Sequence, residues 1–355
     1  MEYSSNVGVN PYSLSFDGVN DWVKTSGVPD SGKITIEIWF RPENPITGDR
    51  RLFWSNGTDR ATIGLGNSNT LRWYMLIGGV GYGYVNSTIT HNGVGAWSHA
   101  ALVYDGNTVR LYINGQLDPN TRSASGTSSQ GVATGFNLGT DAGVGSGFWN
   151  GYLDEFRVWN TARTQIEIQT NMNRELLGTE PGLVSYFKLN EGAGTTIVDS
   201  VSGLTGAVNG ATWVSSGLSL SYAIDIKTDW NANLSIEAED WNRIEYNIAI
   251  LRAYLLEVQY AIGVQTSNLI RDQTFIDTLI SINRIENNLD SIRAGFVTPP
   301  GYRGKEVWIL SKGFDYDDAN RLEDNILKLF QYIGLVASSF RRCGAYLCGD
   351  TGGLY

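Results

Sequence analysis

Asp154 and Glu155 stand side by side in the stretch YLDEFRV, and paired carboxylates are the working groups of glycoside hydrolysis. A retaining hydrolase needs its two carboxyls about 5 Å apart, usually as alternate residues of one strand. Successive residues of a strand point to opposite faces, so Asp154 and Glu155 are not expected to act as a pair. No Glu-x-Asp-x-Glu run occurs in the chain. The histidines are His91 and His99, and His99 falls in the strand-like WSHAALVY, where an imidazole reads as structural. No G-x-S-x-G elbow is present. The glycine-rich stretches at 78–84 and 143–148 lack a following Lys-Ser/Thr and open no helix, so they read as turns rather than phosphate cradles. Cys343 and Cys348 have no histidine nearby, so structural zinc would need another chain; a local disulfide or two free thiols are the alternatives. The residues therefore predict a protein that is not an enzyme.

The elements that would carry any site fall into two stretches. At 355 residues the chain can hold two cores. Up to about Gly217 it is rich in Gly, Trp, Tyr, Thr and Ser; from about Asn233 it is rich in Ile, Leu, Asn, Glu and Arg. Residues 1–218 carry 13 basic and 18 acidic groups, and 219–355 carry the same numbers. That balance argues against nucleic acid as a partner. The start, MEYSSNVGVNPYS, lacks the basic and apolar regions of a leader, and no run of about 18 apolar residues suggests a membrane span. The expectation is a soluble product made without export.

The first stretch reads as strands. KITIEIWF sets Ile34, Ile36, Ile38 and Phe40 against Thr35, Glu37 and Trp39, the period of a strand with one buried face. HAALVYDGNTVRLYING reads as a hairpin turning at Asp105-Gly106-Asn107, with a second turn at Asn114-Gly115. GYLDEFRVWN and GLVSYFKLN are further strands, and no helical segment is predicted before residue 217. The fold class is an all-β jelly-roll sandwich over 1–217, then a linker at 218–234 and an all-α domain over 235–355.

Five blocks in order, SLSFDGVNDWV, ITIEIWFRP, GAWSHAALVYDGNTVRLYINGQL, GYLDEFRVWNTAR and LNEGAGTTIVDS through GATWV, resemble laminin-G-like, concanavalin-A-like jelly-roll domains. The resemblance implies the fold over about 200 residues; members bind sugars, bind proteins or act as spacers. It also implies possible calcium, for which Asp17, Asn20, Asp21 and Asp154 supply oxygens. Asp17-Gly18 and Asn20-Asp21 read equally as turn residues. A sugar site needs exposed aromatics beside polar groups, and Trp54, Trp73, Tyr74, Tyr82, Tyr84 and Trp149 are the candidates. Each has the alternative of core packing, as Trp39, Trp97 and Trp159 do within the family-like motifs.

The second stretch repeats a phrase: WNRIEYNI at 241–248, INRIENNL at 282–289 and ANRLEDNI at 319–326. Trp241, Ile244, Ile248, Leu251, Leu255, Val258 and Ile262 recur at gaps of three and four, as do Ala319, Leu322, Ile326, Leu329, Ile333, Val336 and Phe340. The middle copy runs Phe275, Leu279, Ile282, Ile285, Leu289, Ile292 and Phe296. These stripes predict three amphipathic helices, about 237–263, 272–295 and 315–341. Asp315 with Asp318 predicts the last helix's cap, and Phe314 a staple onto Ala319. Arg243, Arg284 and Arg321 precede a seam residue, and Glu245, Glu286 and Glu323 follow one. They read either as solvated charges edging a bundle or as contacts to other subunits.

DWNRIEYN, YDDANRLEDN and the terminal RRCGAYLCGDTGGLY resemble helical modules of tailed-bacteriophage structural proteins and related phage-like particles. The middle copy departs from that pattern in lacking the aromatic–acid pair before it. This resemblance implies a virion component of tail, baseplate or capsid, with other virion proteins, further copies of itself and a host-surface glycan as partners. The assembly residues would be Trp241, Arg243, Ile244, Glu245, Arg284, Ile285, Glu286, Arg321, Leu322 and Glu323. A purely structural decoration protein and a bacterial surface adhesin are the alternatives.

Overall fold

The computed structural model describes residues 2–4, 10–29, 31–55, 61–66, 70–77, 80–81, 83–126, 135–141, 143–220, 222–258, 260–265 and 279–342. Tyr82, Phe275, Cys343 and Cys348 lie outside them. The chain divides into two compact units, residues 10–218 and residues 1–9 with 219–355.

The first unit is two antiparallel sheets. One runs Gln116–Leu117, Thr108–Ile113, Ser98–Tyr104, Ile34–Pro42, Asn150–Trp159, Tyr12–Asp17, Thr212–Ser215, with Leu183–Phe187 also on Asn150–Trp159. The other runs Thr196–Val198, Thr205–Asn209, Trp22–Lys24, Phe136–Leu138, Arg50–Ser55, Ala61–Leu65, Thr70–Ile77, Val80–Gly81, with Val85–Thr90 also on Thr70–Ile77. Several neighbours are far apart in sequence, Ile34–Pro42 beside Asn150–Trp159 and Asn150–Trp159 beside Tyr12–Asp17 among them, the mark of jelly-roll rather than meander connectivity. Alternate residues of both sheets, among them Phe16, Ile36, Ile38, Phe53, Ile63, Phe136 and Phe156, close one core. At the second predicted turn, Asn114 and Gly115 take φ of 50° and 72°, the positive pair a two-residue hairpin turn demands.

Strand Ile34–Pro42 is buried on both faces, not one. Its outward residues are covered by a short helix, α1 (Gln165–Asn171), and the chain around it. Thr35 Oγ1 donates to Thr161 O at 2.8 Å and Trp39 Nε1 to Met172 O at 2.8 Å. α1 corrects the expectation of a helix-free first domain; Thr164 and Glu167 form a reciprocal capping box that starts it.

The second unit holds α2 (Ala238–Glu257), α3 (Leu279–Gly295) and α4 (Tyr316–Arg342), so the described residues contain four helices, not three. α2 stops six residues before its predicted end, where the Tyr260 N–H reaches back to Leu255 O. Residues 218–234, read from sequence as a linker, include strand Ala223–Asp225, which pairs antiparallel with Glu2–Ser4. Asp315 caps α4, its Oδ1 accepting the N–H groups of Asp317 and Asp318. Phe314 stacks on Trp241 and Trp308, with centroids 4.8 and 5.1 Å away.

The three phrases meet inside this one chain. Ile244, Ile285 and Leu322 are fully buried, and the helices pack on one another. Arg243 of the first copy binds Glu323 of the third at 2.6 Å; Arg284 of the second binds Glu245 of the first; Arg321 of the third binds Glu286 of the second. The pairs close a cycle. The charges expected at a solvated edge or on other subunits are thus satisfied within the chain, because each phrase offers its Arg to one neighbour and its Glu to the other.

The next-to-last residue of each phrase is an asparagine that grips backbone upstream. Asn247 binds the N–H and C=O of Asp225, Asn288 those of Gln265, and Asn325 those of Arg303, at separations of 22, 23 and 22 residues. The amide side chain matches a peptide group's donor and acceptor, so it can pair with backbone as a neighbouring strand would. The first asparagine of the second and third phrases reaches the segment upstream of another copy: Asn283 grips Trp308, ahead of the third, and Asn320 donates to Trp230 O at 3.1 Å, ahead of the first.

Candidate functional site

Strand Thr70–Ile77 alternates strictly, sending Leu71, Trp73, Met75 and Ile77 into the core and leaving Arg72 and Tyr74 on the opposite face. Register carries that face across the sheet. Tyr74 pairs with Thr62 and Thr62 with Trp54, while Arg72 pairs with Gly64 and Gly64 with Arg51. Tyr84, just ahead of strand Val85–Thr90, completes the group.

The rings of Tyr74 and Tyr84 lie 5.4 Å apart at 41°. Arg72 sits 4.2 Å from the Tyr84 ring centre and Arg51 5.1 Å, with Arg51 also 5.5 Å from Trp54. Such stacking suits the flat, delocalised guanidinium. Arg51 Nη2 donates to Tyr84 Oη at 3.0 Å. Asp49 accepts both bonds of a fork from Arg72 Nη1, at 2.8 and 2.7 Å, and lies 3.6 Å from Arg51 Nη2. Gly147, at φ 69°, lies close beneath Arg51; a Cβ there would stand 3.0 Å from Arg51 Cγ. Trp54, Tyr74 and Tyr84 are partly exposed, so a ligand can lie on rings whose edges are lined by hydrogen-bond donors.

This group includes some of the sequence candidates and rejects others. Trp54, Tyr74 and Tyr84 belong to it. Trp73 and Trp149 do not: both are fully buried in the sandwich core, so neither is a glycan contact. Arg51 and Arg72 were missed, although the alternation of TLRWYMLI sorts Trp73 from Arg72 and Tyr74. On the other sheet, Arg41 stacks 3.9 Å over Tyr152, but Tyr152 Oη and the neighbouring Trp97 Nε1 already donate to Glu43 and to Ser216 O.

The oxygen-rich residues do not converge. Asp21 Oδ2 accepts from Asp17 N and Asp17 Oδ1 from Val19 N, both at 2.8 Å, so these carboxylates close a turn. Asn20 is exposed on the same turn. Asp154 lies four residues along its strand from Asn150, the residue paired with Asp17, or about 13 Å away by strand rise. Among the described residues no group of three or more His, Cys, Asp or Glu is arranged to hold a metal ion.

Asp154 and Glu155 do not follow simple alternation either. The register against Ile34–Pro42 shifts between Asp154 and Arg157, and Glu155 takes φ 53°. The two carboxyls still have separate partners. Asp154 accepts from Ser216 Oγ at 2.8 Å; Glu155 accepts from Tyr186 Oη and Arg157. Burial, then the adjacent Glu155 charge, pushes the Asp154 carboxyl well above its usual range. Glu37, also fully buried, has His99 Nε2 at 3.3 Å. Burial pushes Glu37 up, but His99, Arg157 and Arg163 outweigh it and hold the carboxyl low.

In the helical unit a cleft is lined by Asp225, Ile226, Lys227, Thr228, Asp229 and Arg243. Its cations are committed, Lys227 to Asp240 at 3.6 Å and Arg243 to Asp240 and Glu323.

Residues 17–169 match the model of the concanavalin A-like lectin/glucanases superfamily, a laminin-G-type domain. Among solved structures, the chain is similar to a provisionally assigned carbohydrate-binding protein of Bacteroides ovatus ATCC 8483, at 19% identity and TM-score 0.45, over 59% of this chain and 61% of that one. It is also similar to the heptameric SAP-like pentraxin of Limulus polyphemus, at 17% and 0.42 over 59% and 98%, and to domains LG4-5 of the mouse laminin alpha1 chain, at 12% and 0.33 over 41% and 40%. The chain thus spans less than two thirds of the Bacteroides ovatus protein's length. No curated protein matches the chain.

Proposed function

We propose that residues 10–218 bind a host-surface glycan, without cleaving it, through the sheet face bearing Arg51, Trp54, Arg72, Tyr74 and Tyr84. Residues 1–9 and 219–355 form the carrier, and the whole serves as an adhesive component of a bacteriophage particle, in its tail, baseplate or capsid decoration. One observation carries the reading. Partly exposed rings of Trp54, Tyr74 and Tyr84 share a face with arginine donors, turned away from the core. Sugars place C–H faces on aromatic rings and hydroxyls on flanking polar groups, which is the chemistry on offer.

Binding without cleavage is supported by the fate of the carboxylates, since Glu37, Asp154 and Glu155 are fully buried among other partners. The virion setting is supported by the repeated phrase and its likeness to phage structural modules. Many copies on one particle would turn weak individual binding into firm attachment.

The full chain, applied to a glycan array and to host cells, tests the reading. Binding should appear and fall at least tenfold in Tyr74→Ala and Trp54→Ala proteins that keep their fold. A chain that binds no glycan and no cell is a decoration protein without ligand.

A further inference from the structure

The charges of this face are out of balance in a direction opposite to the rest of the chain. The molecule carries a net charge of −10. Yet at this face, among the described residues, Arg51 and Arg72 share the carboxylate of Asp49, which is forked by Arg72.

Arg51 is the telling group. Its side chain is 9% exposed, its nearest carboxylate is 3.6 Å away, and its Nε and Nη1 have no hydrogen-bond partner. Other buried arginines are served differently. Arg157 is paired with Glu155, Arg243 with Asp240 and Glu323, Arg284 with Glu245 and Arg321 with Glu286. Among the described residues, Arg51 is the buried arginine that leaves Nη1 as well as Nε unmet. The neighbouring Trp54 Nε1 is unmet as well. Three buried donors on two neighbouring side chains thus lack an acceptor among the described residues. Asp49 is shared with Arg72 and stands beyond hydrogen-bond reach of Arg51, so this buried guanidinium keeps unmet donors, which is costly unless an acceptor meets them.

We infer that this face takes an anionic sugar, one bearing a carboxylate, sulfate or phosphate group whose oxygens complete Arg51 and Arg72 while its ring rests on Tyr74 and Trp54. This deepens the glycan reading above and rests on it. Charged oxygens offer the acceptors that the site lacks, and guanidinium binds carboxylate and phosphate alike through paired N–H bonds. Tyr84, 37% exposed and stacked over both arginines, is the ring that must turn aside to admit the group. A positive face on an acidic surface also draws anions from solution at low salt.

The test uses the full chain and matched ligand pairs read by calorimetry: oligogalacturonate against its methyl ester, dextran sulfate against dextran, and a phosphorylated mannan against its dephosphorylated form. Binding should favour the charged member of at least one pair by tenfold or more, with the preferred pair naming the anion. It should weaken several-fold between 50 and about 300 mM salt, beyond a shortening Debye length. Arg72→Gln, at a partly exposed position, should lose at least tenfold while Arg110→Gln, outside the face, loses nothing. Arg51→Lys, which keeps charge but not the fork, should also lose affinity and guards against a folding defect in Arg51→Gln. If charged and neutral members bind equally and both need Tyr74, the glycan reading survives and the anion inference fails. If charged ligands bind regardless of Arg72, the assignment to this face is wrong. If nothing binds, both fall.

Discussion

Arg243 Nη2 lies 2.6 Å from Glu323 Oε1, tying the first copy of a repeated helical phrase to the third across 80 residues. With the Arg284–Glu245 and Arg321–Glu286 pairs it makes a closed cycle. Each Arg–Glu bond is a link whose loss leaves a charge stranded among neighbours. Replacing Glu286, which also accepts from Trp308 Nε1 at 3.1 Å, by Gln should destabilise the helical unit by about 3 kcal/mol. Urea unfolding followed by far-UV circular dichroism reads this. A loss below 1 kcal/mol would show that the cycle contributes little.

Removing one amide clamp should open a specific backbone segment. Asn325→Ala deletes bonds of 2.9 and 2.8 Å to Arg303 N and O, at a cost of about 1–3 kcal/mol. Hydrogen exchange should speed up at the Arg303 amide and leave the Gln265 amide, held by Asn288, unchanged.

Aromatic substitutions should divide into two classes. Trp73→Ala and Trp149→Ala each empty a fully buried site and should cost about 3–5 kcal/mol. Tyr74→Ala and Trp54→Ala remove partly exposed rings and should cost far less while abolishing ligand binding. Thermal melts paired with binding assays separate the classes, and equal stability losses would place the outer rings in the core.

The sequence carried part of this pattern. Alternation in KITIEIWF was enough to find the core face of its strand, and gaps of three and four found the helical seams. The alternation in TLRWYMLI separates Trp73 from Arg72 and Tyr74, but which of its two faces turns to the core is set by the facing sheet and not by the strand itself. The start of α1 was written in Thr164-x-x-Glu167, a capping box easily passed over before a helix of only two turns. Other features have no local signal. Strand Glu2–Ser4 pairs with Ala223–Asp225 across more than 200 residues, and the asparagines grip backbone 22 or 23 positions away. Neither spacing follows a helical or strand period.

Acidity should act on the sandwich with two opposite signs. Asp154, raised above 3.8 chiefly by burial, favours the fold while protonated; that contribution is full below 3.8 and drains away as pH climbs through the raised value. Asp154→Asn should therefore match the parent near pH 3 and exceed it at pH 7. Glu37, held below 4.5 because its charged neighbours outweigh burial, favours the fold above 4.5 and loses that contribution as pH falls through its lowered value. Glu37→Gln should be weaker than the parent at pH 7 and converge with it in acid. Melting midpoints across pH 2–8 check both, and pH-independent differences would sink the assignment.

A carrier made of residues 1–9 joined by a short Gly-Ser bridge to 219–355 should unfold cooperatively, whereas 225–355 alone should be looser. The shorter piece lacks Glu2–Ser4 and its pairing with Ala223–Asp225. Chromatographic sizing and denaturant slopes compare them; identical slopes would make that strand pair dispensable.

That pairing means the sandwich, residues 10–218, is inserted in sequence into the helical unit, whose own strands flank both seams. Recombination at those two seams could exchange one sandwich for another while the Arg–Glu cycle stays untouched. A lineage built this way can replace the inserted domain without redesigning the helical unit that carries it.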